Sequence, residues 1–518
     1  MSKPQPLILA IDNGTQSVRA LLFDRSGQLV AKAQKALVDY STPQPGWQEH
    51  DVEAFYTHMA SCCQQLWQSG KYTAEQVQAV VVTTQRATVI NLDEHGQPLR
   101  PAIIWTDQRK AALRAKRPWW WRLLFRLLGL KRTIDALERE TEINWIAQHQ
   151  PQVWAKTAHY LLLSGYLNYR LTGEFKDSVG SQVGYIPFDY KCQQWCGKRD
   201  WKWHCMPVAQ QQLPELVAVG AVLGSVTAAA ARQTGLMAGT PVIAGAADKA
   251  CEVLGSGCLD ETIGSISCGT TATINVCQQR YIEPRPFIPP YPAALPDYFN
   301  SEIQVFRGFW MVEWFVQQFA STEQQRAERS DIAVEPLLEE LLQATAPGAD
   351  GLVLQPYWNP GLGHPGPEAR GSVIGFGDQH TRGHLYRAML EGLAFALRDG
   401  KEQLERRNKN KLQRLRVAGG GSQSDGVMQI LADVLQLPTE RPSTYEASGL
   451  GAAIIAAVSL GYYRSYAEAV AAMTAVSARF EPIAANSDLY QKIYRQIYRR
   501  QYRRLRPLYS ALARLRVA

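Results

Sequence analysis

Residues 7–24, LILAIDNGTQSVRALLFD, run an apolar strand into an acid, a short polar turn and a second apolar stretch. No other feature constrains the fold as tightly. Leu7, Ile8, Leu9 and Ile11 predict one strand, and 18–23 predict its antiparallel partner. Asn13-Gly14 predicts a type I′ turn, in which both central residues take positive φ. A turn that tight leaves Asp12 at the strand end with Thr15, Gln16, Ser17 and Arg19 close by. Turn amides, hydroxyls and an arginine can surround an anionic oxygen, and a carboxylate beside them can hold a divalent cation. A solvated hairpin and a phosphate–Mg²⁺ site both fit this stretch taken alone.

The pattern continues as a mixed sheet. LVAKAQKAL (29–37) follows the turn Arg25-Ser26-Gly27 and makes a three-stranded meander of residues 7–37. A helix is expected over 51–68 with Asp51 as its N-cap. A buried strand follows at 77–85, then a hairpin over 88–105 turning at Glu94-His95-Gly96. Near residue 260 the pattern restarts: ETIGSISCGTTATINV (261–276) is again strand, polar turn, strand. Helices are expected at 310–320, 333–345 and 380–404, then a strand, a glycine turn and a helix from about Asp425. Apolar runs without strict alternation indicate an α/β fold whose sheets are covered on both faces. The boundary between the halves is expected just after residue 257.

A chain of 518 residues is too long for one ordinary core, so at least two domains are expected. Nine cysteines fall without a framework, residues 1–6 lead directly into the first strand, and no apolar run reaches ~18 residues. A cytoplasmic protein with reduced thiols and no transmembrane segment is the expectation. The net charge of +8 is concentrated: Lys492 to the C-terminus holds nine basic residues and no acid. Tyr494, Tyr498 and Tyr502 at helical spacing predict a helical tail docked on a domain rather than a nucleic-acid surface. The stretch 114–132, RAKRPWWWRLLFRLLGLKR, is a basic amphipathic helix by pattern. Packing over the cleft or on a neighbouring domain is favoured for it over a membrane surface.

Four places put an acid or a small-residue turn at the end of an apolar strand. They are Asp12; VIAGAADKA, where Asp248 follows Gly245-Ala246-Ala247; SCGTTA with Gly269-Thr270-Thr271; and AGGGSQSD (418–425) before a helix. An acid among alanines and glycines suits a base in a narrow pocket, and the glycine turns suit phosphate or a flat ligand at a helix N-terminus. Together they suggest a nucleotide held between two halves. GLGHPG (361–366) matches G-x-G-x-x-G without the strand and helix that a dinucleotide turn needs. There is no Walker A sequence and no H-E-x-x-H, and Cys192, Cys196, His204 and Cys205 have poor zinc spacing. Arg86, Trp105, Asp107 and Arg109 offer an aromatic platform and bidentate partners of the kind that sugars require, although Asp107 and Arg109 also read as a fold-stabilising pair.

The motifs IDNGTQSVRALLFD, PGWQEHD, AIIWTDQR, GAADKA, GFGDQHTRGHLYRAMLEGLAFAL, GGGSQSDGVMQILADVL and EASGLGAAIIAA, in this order, resemble the FGGY carbohydrate kinases over nearly the whole chain. The resemblance implies two ribonuclease-H-like domains of the actin/sugar-kinase type with a catalytic cleft between them. It divides the chain into 1–257 (sugar side), 258–480 (nucleotide side) and a basic tail, 481–518. It implies ATP and Mg²⁺, a small sugar or polyol acceptor such as a xylulose-type ketose, no nucleic-acid partner, and a homodimer as the assembly to consider. By the same resemblance Asp248 is the general base and Asp12 positions the metal. Thr15, Arg19, Gly269 and Thr270 approach the phosphates, and Gly420, Gly421 and Asp425 the nucleoside. Arg86, Trp105, Lys249 and Asp248 meet the sugar. An actin-like ATPase or scaffold is the alternative. Three positions depart from the family pattern: Ala87 stands where glycerol kinases have Glu, Glu142 where a Lys is usual, and Phe309 near an expected glycine. These departures bear on the acceptor more than on the reaction.

Overall fold

The computed structural model describes residues 5–113, 125–127, 131–358 and 365–515. The tryptophans at 119–121 and most of GLGHPG lie outside them.

The first apolar run forms β1 (Leu7–Asn13), with all seven residues buried. It pairs antiparallel with β2 (Ser17–Phe23), which pairs antiparallel with β3 (Leu29–Ala36), and runs parallel to β4 (Val77–Thr84) on its other side. Beyond β4 lie β5 (Val222–Ser225) and β6 (Pro241–Ile243), giving the order β5-β6-β4-β1-β2-β3. Alternate residues of β1 face opposite cores. Leu7, Leu9 and Ile11 pack with the helix α1 (Val52–Gln68), whose N-terminus Asp51 caps as expected. Ile8 and Ala10 pack with α2 (Asp248–Gly255) and with the helix at Ala447–Ser459.

The second sheet repeats the plan. β7 (Ile263–Cys268), β8 (Ala272–Gln278), β9 (Tyr291–Pro292) and β10 (Phe299–Val305) form an antiparallel set. β7 also runs parallel to β11 (Arg414–Ala418), which is followed by β12 (Thr439–Pro442) and β13 (Val476–Phe480). Its order is β9-β10-β8-β7-β11-β12-β13. Thus β1-β2-β3-β4 of the first half correspond to β7-β8-β10-β11 of the second. The long helix α3 (Arg382–Asn408) and α4 (Asp425–Leu435) cover this sheet.

One helix of the second half crosses over. α5 (Ala447–Ser459) packs on the first sheet and against α2, in a core that also includes Ile263 and Cys277. The two helices meet at glycines. A Cβ on Gly255 would strike the carbonyl oxygen of Ala447, and one on Gly451 that of Cys251. The two helices therefore cross backbone against backbone.

Three local expectations change. Neither Asn13 nor Gly14 has positive φ, so the first turn is not type I′; Gly14 N–H instead donates to Ser17 O at 3.0 Å and closes a wider loop. A helix over Ser321–Ser330, too polar to show an apolar face, was not anticipated. The tail is two helices, α6 (Ala484–Ile493) and α7 (Arg499–Leu515), joined by a π turn at 494–498. Tyr490, Tyr494 and Tyr498 bury against Phe395 of α3, so the tail docks on the second half.

Candidate active site

The two strand-end acids, Asp12 and Asp248, lie close enough to feel each other's charge and that of Glu446, which precedes α5. Asp12 is 5% exposed, and Arg19 Nη1 stands 3.2 Å from its Oδ2. The β1–β2 register places these two residues directly opposite each other. Burial pushes the Asp12 carboxyl up to about 7 despite Arg19, and the charges of Asp248, Glu446 and Glu252 add to the rise. Asp248 is the first residue of α2, its Oδ1 accepting the Lys249 amide at 2.7 Å. Burial raises its pKa too, against the pull of Lys249 and Arg86.

The small residues before Asp248 have a packing cause. A Cβ on Gly245 would strike the carbonyl oxygen of Val82 in β4, so only glycine allows β6 to turn into α2 at that distance. Lys249 Nζ reaches Ser267 Oγ on β7 at 2.6 Å and Glu252 at 3.2 Å, which ties α2 to the second sheet.

Arg86, just beyond β4, forks onto Glu302 of β10 at 3.1 and 3.3 Å, with Tyr291 beneath the guanidinium at 5.2 Å. Arg86 and Lys249 line a small pocket together with Tyr291, Asn275, Asn300 and Glu302. The last four escaped the sequence reading. Their only signal is the polar alternation Asn300, Glu302, Gln304 in FNSEIQV.

Trp105 is not among the residues lining that pocket. Its Nε1 donates to Thr15 Oγ1 at 2.8 Å, beside the first hairpin turn. Asp107 and Arg109 form the structural pair: Arg109 bonds Asp107 at 2.7 Å and Glu49 at 2.8 Å, sandwiched between Trp47 and Trp145. Ala87 takes φ 54° with its N–H on Val183 O.

On the other side, Gly269 O accepts the Phe309 amide at 3.0 Å, so the β7–β8 turn and Phe309 are neighbours. A Cβ on Gly421 would come within 2.5 Å of the Phe309 ring, whereas one on Gly420 would meet nothing within 4 Å. Gly420 therefore faces open space and Gly421 a phenyl ring. Asp425 caps the same region, exposed and bonded to Arg441 at 2.6 Å. Among the described residues no three His, Cys, Asp or Glu side chains cluster as a metal cage, and Cys192 and Cys196 are free thiols.

The family models of known proteins bear on this geometry. Residues 7–255 match the N-terminal domain, and 264–460 the C-terminal domain, of the FGGY family of carbohydrate kinases. The chain belongs to this family. It is a carbohydrate kinase, a phosphotransferase with an alcohol acceptor. It is 28% identical to a xylulose kinase of Lactococcus lactis, covering 94% of each chain. It is 30% identical to a glycerol kinase of Solidesulfovibrio magneticus, covering 93% of this chain and 95% of the relative. The ligand-bound crystal structure of a xylulose kinase from Lactobacillus acidophilus shares the fold with a TM-score of 0.82 at 20% identity, covering 98% of this chain and all of that one. ATP is the donor that kinases of this family use. Among the described residues no helix is long and apolar enough to cross a membrane.

Proposed function

We propose that the cleft moves the terminal phosphoryl of Mg-ATP onto a hydroxyl of a small sugar or polyol, with Asp248 as the general base. The observation that carries this reading is the position of Asp248: half-buried at the head of α2, in the field of Arg86 and Lys249, on a helix that Lys249 ties to the second sheet. A carboxylate with a raised pKa takes the acceptor hydroxyl proton as the oxygen attacks. Lys249 and Arg86 orient the acceptor, and the close packing of α2 on α5 limits water, the competing acceptor.

Asp12 fits the metal. Its buried charge is only partly met by Arg19, and Mg²⁺ characteristically takes one or two carboxylates plus phosphate oxygens and water rather than a full protein cage. Bound there, the ion would neutralise charge on the transferring group. Thr15, Arg19, Gly269 and Thr270 are the residues assigned to the phosphates. Gly420 and Asp425 border the nucleoside, and Gly421 supports that wall through Phe309. In this reading 1–257 supplies the acceptor side, 258–480 the nucleotide side, and 481–518 braces the latter.

The test is coupled ADP release with Mg-ATP over ketoses, alditols, glycerol and D-gluconate, with Asp248→Asn alongside. Acceptor-dependent ADP release that the variant loses supports the proposal. Transfer retained by the variant removes Asp248 as base, and acceptor-independent ADP release favours an actin-like ATPase.

A further inference from the structure

The strand β10 is unusual for a buried strand. Side chains alternate across a sheet, so Asn300, Glu302 and Gln304 share one face. Register adds Asn275, opposite Glu302, and Tyr291, opposite Asn300. Asn275, Asn300 and Glu302 are 2, 4 and 6% exposed, yet none of the three is apolar. Glu302 is occupied with Arg86 and Gln304, and Asn275 Nδ2 donates to Thr273. Asn300 Oδ1 is different: it is buried, lines the pocket, and has no hydrogen-bond partner among the described residues. An unmet buried carbonyl is costly, and one that lines a pocket can be met by a donor on a bound ligand.

We infer that this face of β8 and β10 is a second hydroxyl-binding subsite for the acceptor. Asn300 Oδ1 accepts one hydroxyl, and Glu302, with its carboxylate anchored on Arg86, accepts a neighbouring one. The acceptor is thereby a neutral polyhydroxylated chain that extends from Asp248 on the first half to the sheet of the second. This inference rests on the reading of Asp248 as base.

Charge selects the neutral class. Arg86 is matched by Glu302 and Lys249 by Glu252, at 3.1 and 3.2 Å. Asp248 is then a surplus negative charge beside the pocket, and a carboxylated sugar entering there meets repulsion without a free cation. A three-carbon polyol held at Asp248 has fewer hydroxyls to offer the far subsite.

The test uses the full-length enzyme with D-xylulose, ribitol, glycerol and D-gluconate as acceptors. The expected wild-type result is transfer to a neutral five-carbon acceptor at least tenfold better in kcat/KM than to D-gluconate. Asn300→Leu, close in volume but unable to hydrogen-bond, raises the KM of that acceptor about tenfold and leaves the KM for ATP unchanged. It leaves the KM for glycerol unchanged as well, which a merely structural defect would not do. Glu302→Gln narrows the gap between the neutral acceptor and D-gluconate. Should Asn300→Leu unfold, Asn300→Ala gives the same readout. Preference for D-gluconate, or a five-carbon KM within twofold of wild type in both variants, overturns the subsite while the kinase reading stands. Absence of acceptor-dependent transfer in the wild type overturns both.

Discussion

The guanidinium of Arg19 lies 3.2 Å from the carboxylate of Glu446, and the same Nη1 lies 3.2 Å from Asp12. One side chain on β2 therefore joins the strand-end acid of the first half to the residue that precedes α5 of the second. Lys32 completes the arrangement at 2.6 Å from Glu446. Two buried carboxylates share cations at the point where the halves meet, and the charge state of Asp12 reports on that sharing.

Mg-ATP binding should therefore depend on pH. Burial holds the Asp12 carboxyl near 7, and a metal binds only its ionised form. Affinity is expected to rise as pH goes from about 6 to about 8 and then to level off, because protons and metal compete for the same oxygens. Arg19 pulls that pKa down, so Arg19→Met should move the midpoint upward and weaken binding at neutral pH several-fold. Asp12→Asn should flatten the profile. Titration of nucleotide binding by calorimetry at several pH values checks this, and a pH-independent wild type would refute the assignment of Asp12.

The glycine crossing of α2 and α5 carries a stability prediction. Gly451 Cα sits against the carbonyl of Cys251, so a methyl there has to push two backbones apart. Gly451→Ala should destabilise by about 1–3 kcal/mol, the usual cost of overpacking. Because α2 begins at Asp248, the displacement should also lower kcat, while Gly197→Ala, with nothing within 4 Å of its added Cβ and no positive φ, leaves kcat unchanged. Denaturant melts and initial rates for the two variants make the comparison.

Thiol chemistry offers a third check. Of the nine cysteines, eight are buried and Cys192 is exposed. A disulfide exchange reagent should modify one thiol rapidly in the native protein, and Cys192→Ser should abolish that fast phase. Neighbouring Asp189 raises the Cys192 pKa, so its reaction is expected to run slower than that of a free cysteine. Several fast thiols would contradict the packing around Cys62, Cys63 and Cys251.

The features that could be read in advance share a physical origin. Asp12 and Asp248 interrupt apolar strands, and an acid at the end of a buried strand has few structural explanations. The strand–turn–strand opening at 7–23 and its return at 261–276 became the matching sheet orders for the same reason. Glu302 and Asn300 gave no comparable signal. Polar alternation over FNSEIQV reads as a strand with one wet face, and only the opposing half, with Arg86, makes that face dry. Trp105 is expected near the sugar because aromatic residues suit sugars, and its indole donates to Thr15 beside the first hairpin turn. The Asn13-Gly14 pair misled for a local reason: the loop spends Gly14, Thr15 and Gln16 between the strands, so neither residue needs positive φ.

Glu142 yields the last prediction. Burial pushes its carboxyl up to about 8, Asp107 and Glu140 push the same way, and Arg109 opposes them. In the unfolded chain a glutamate titrates near ~4.3. The folded protein thus holds this proton more tightly than the unfolded one. Its contribution to stability is fully present below about pH 4 and is lost as pH rises through about 8. At pH 8.5 the ionised carboxylate is left beside Asp107 without a cation of its own, since Arg109 is spent on Asp107 and Glu49. Glu142→Gln should therefore raise the unfolding free energy by ~1–3 kcal/mol at that pH, with a much smaller gain near pH 5. Urea melts of both proteins across this range supply the measurement, and parallel stability curves would show that Glu142 is ionised in the folded state at neutral pH.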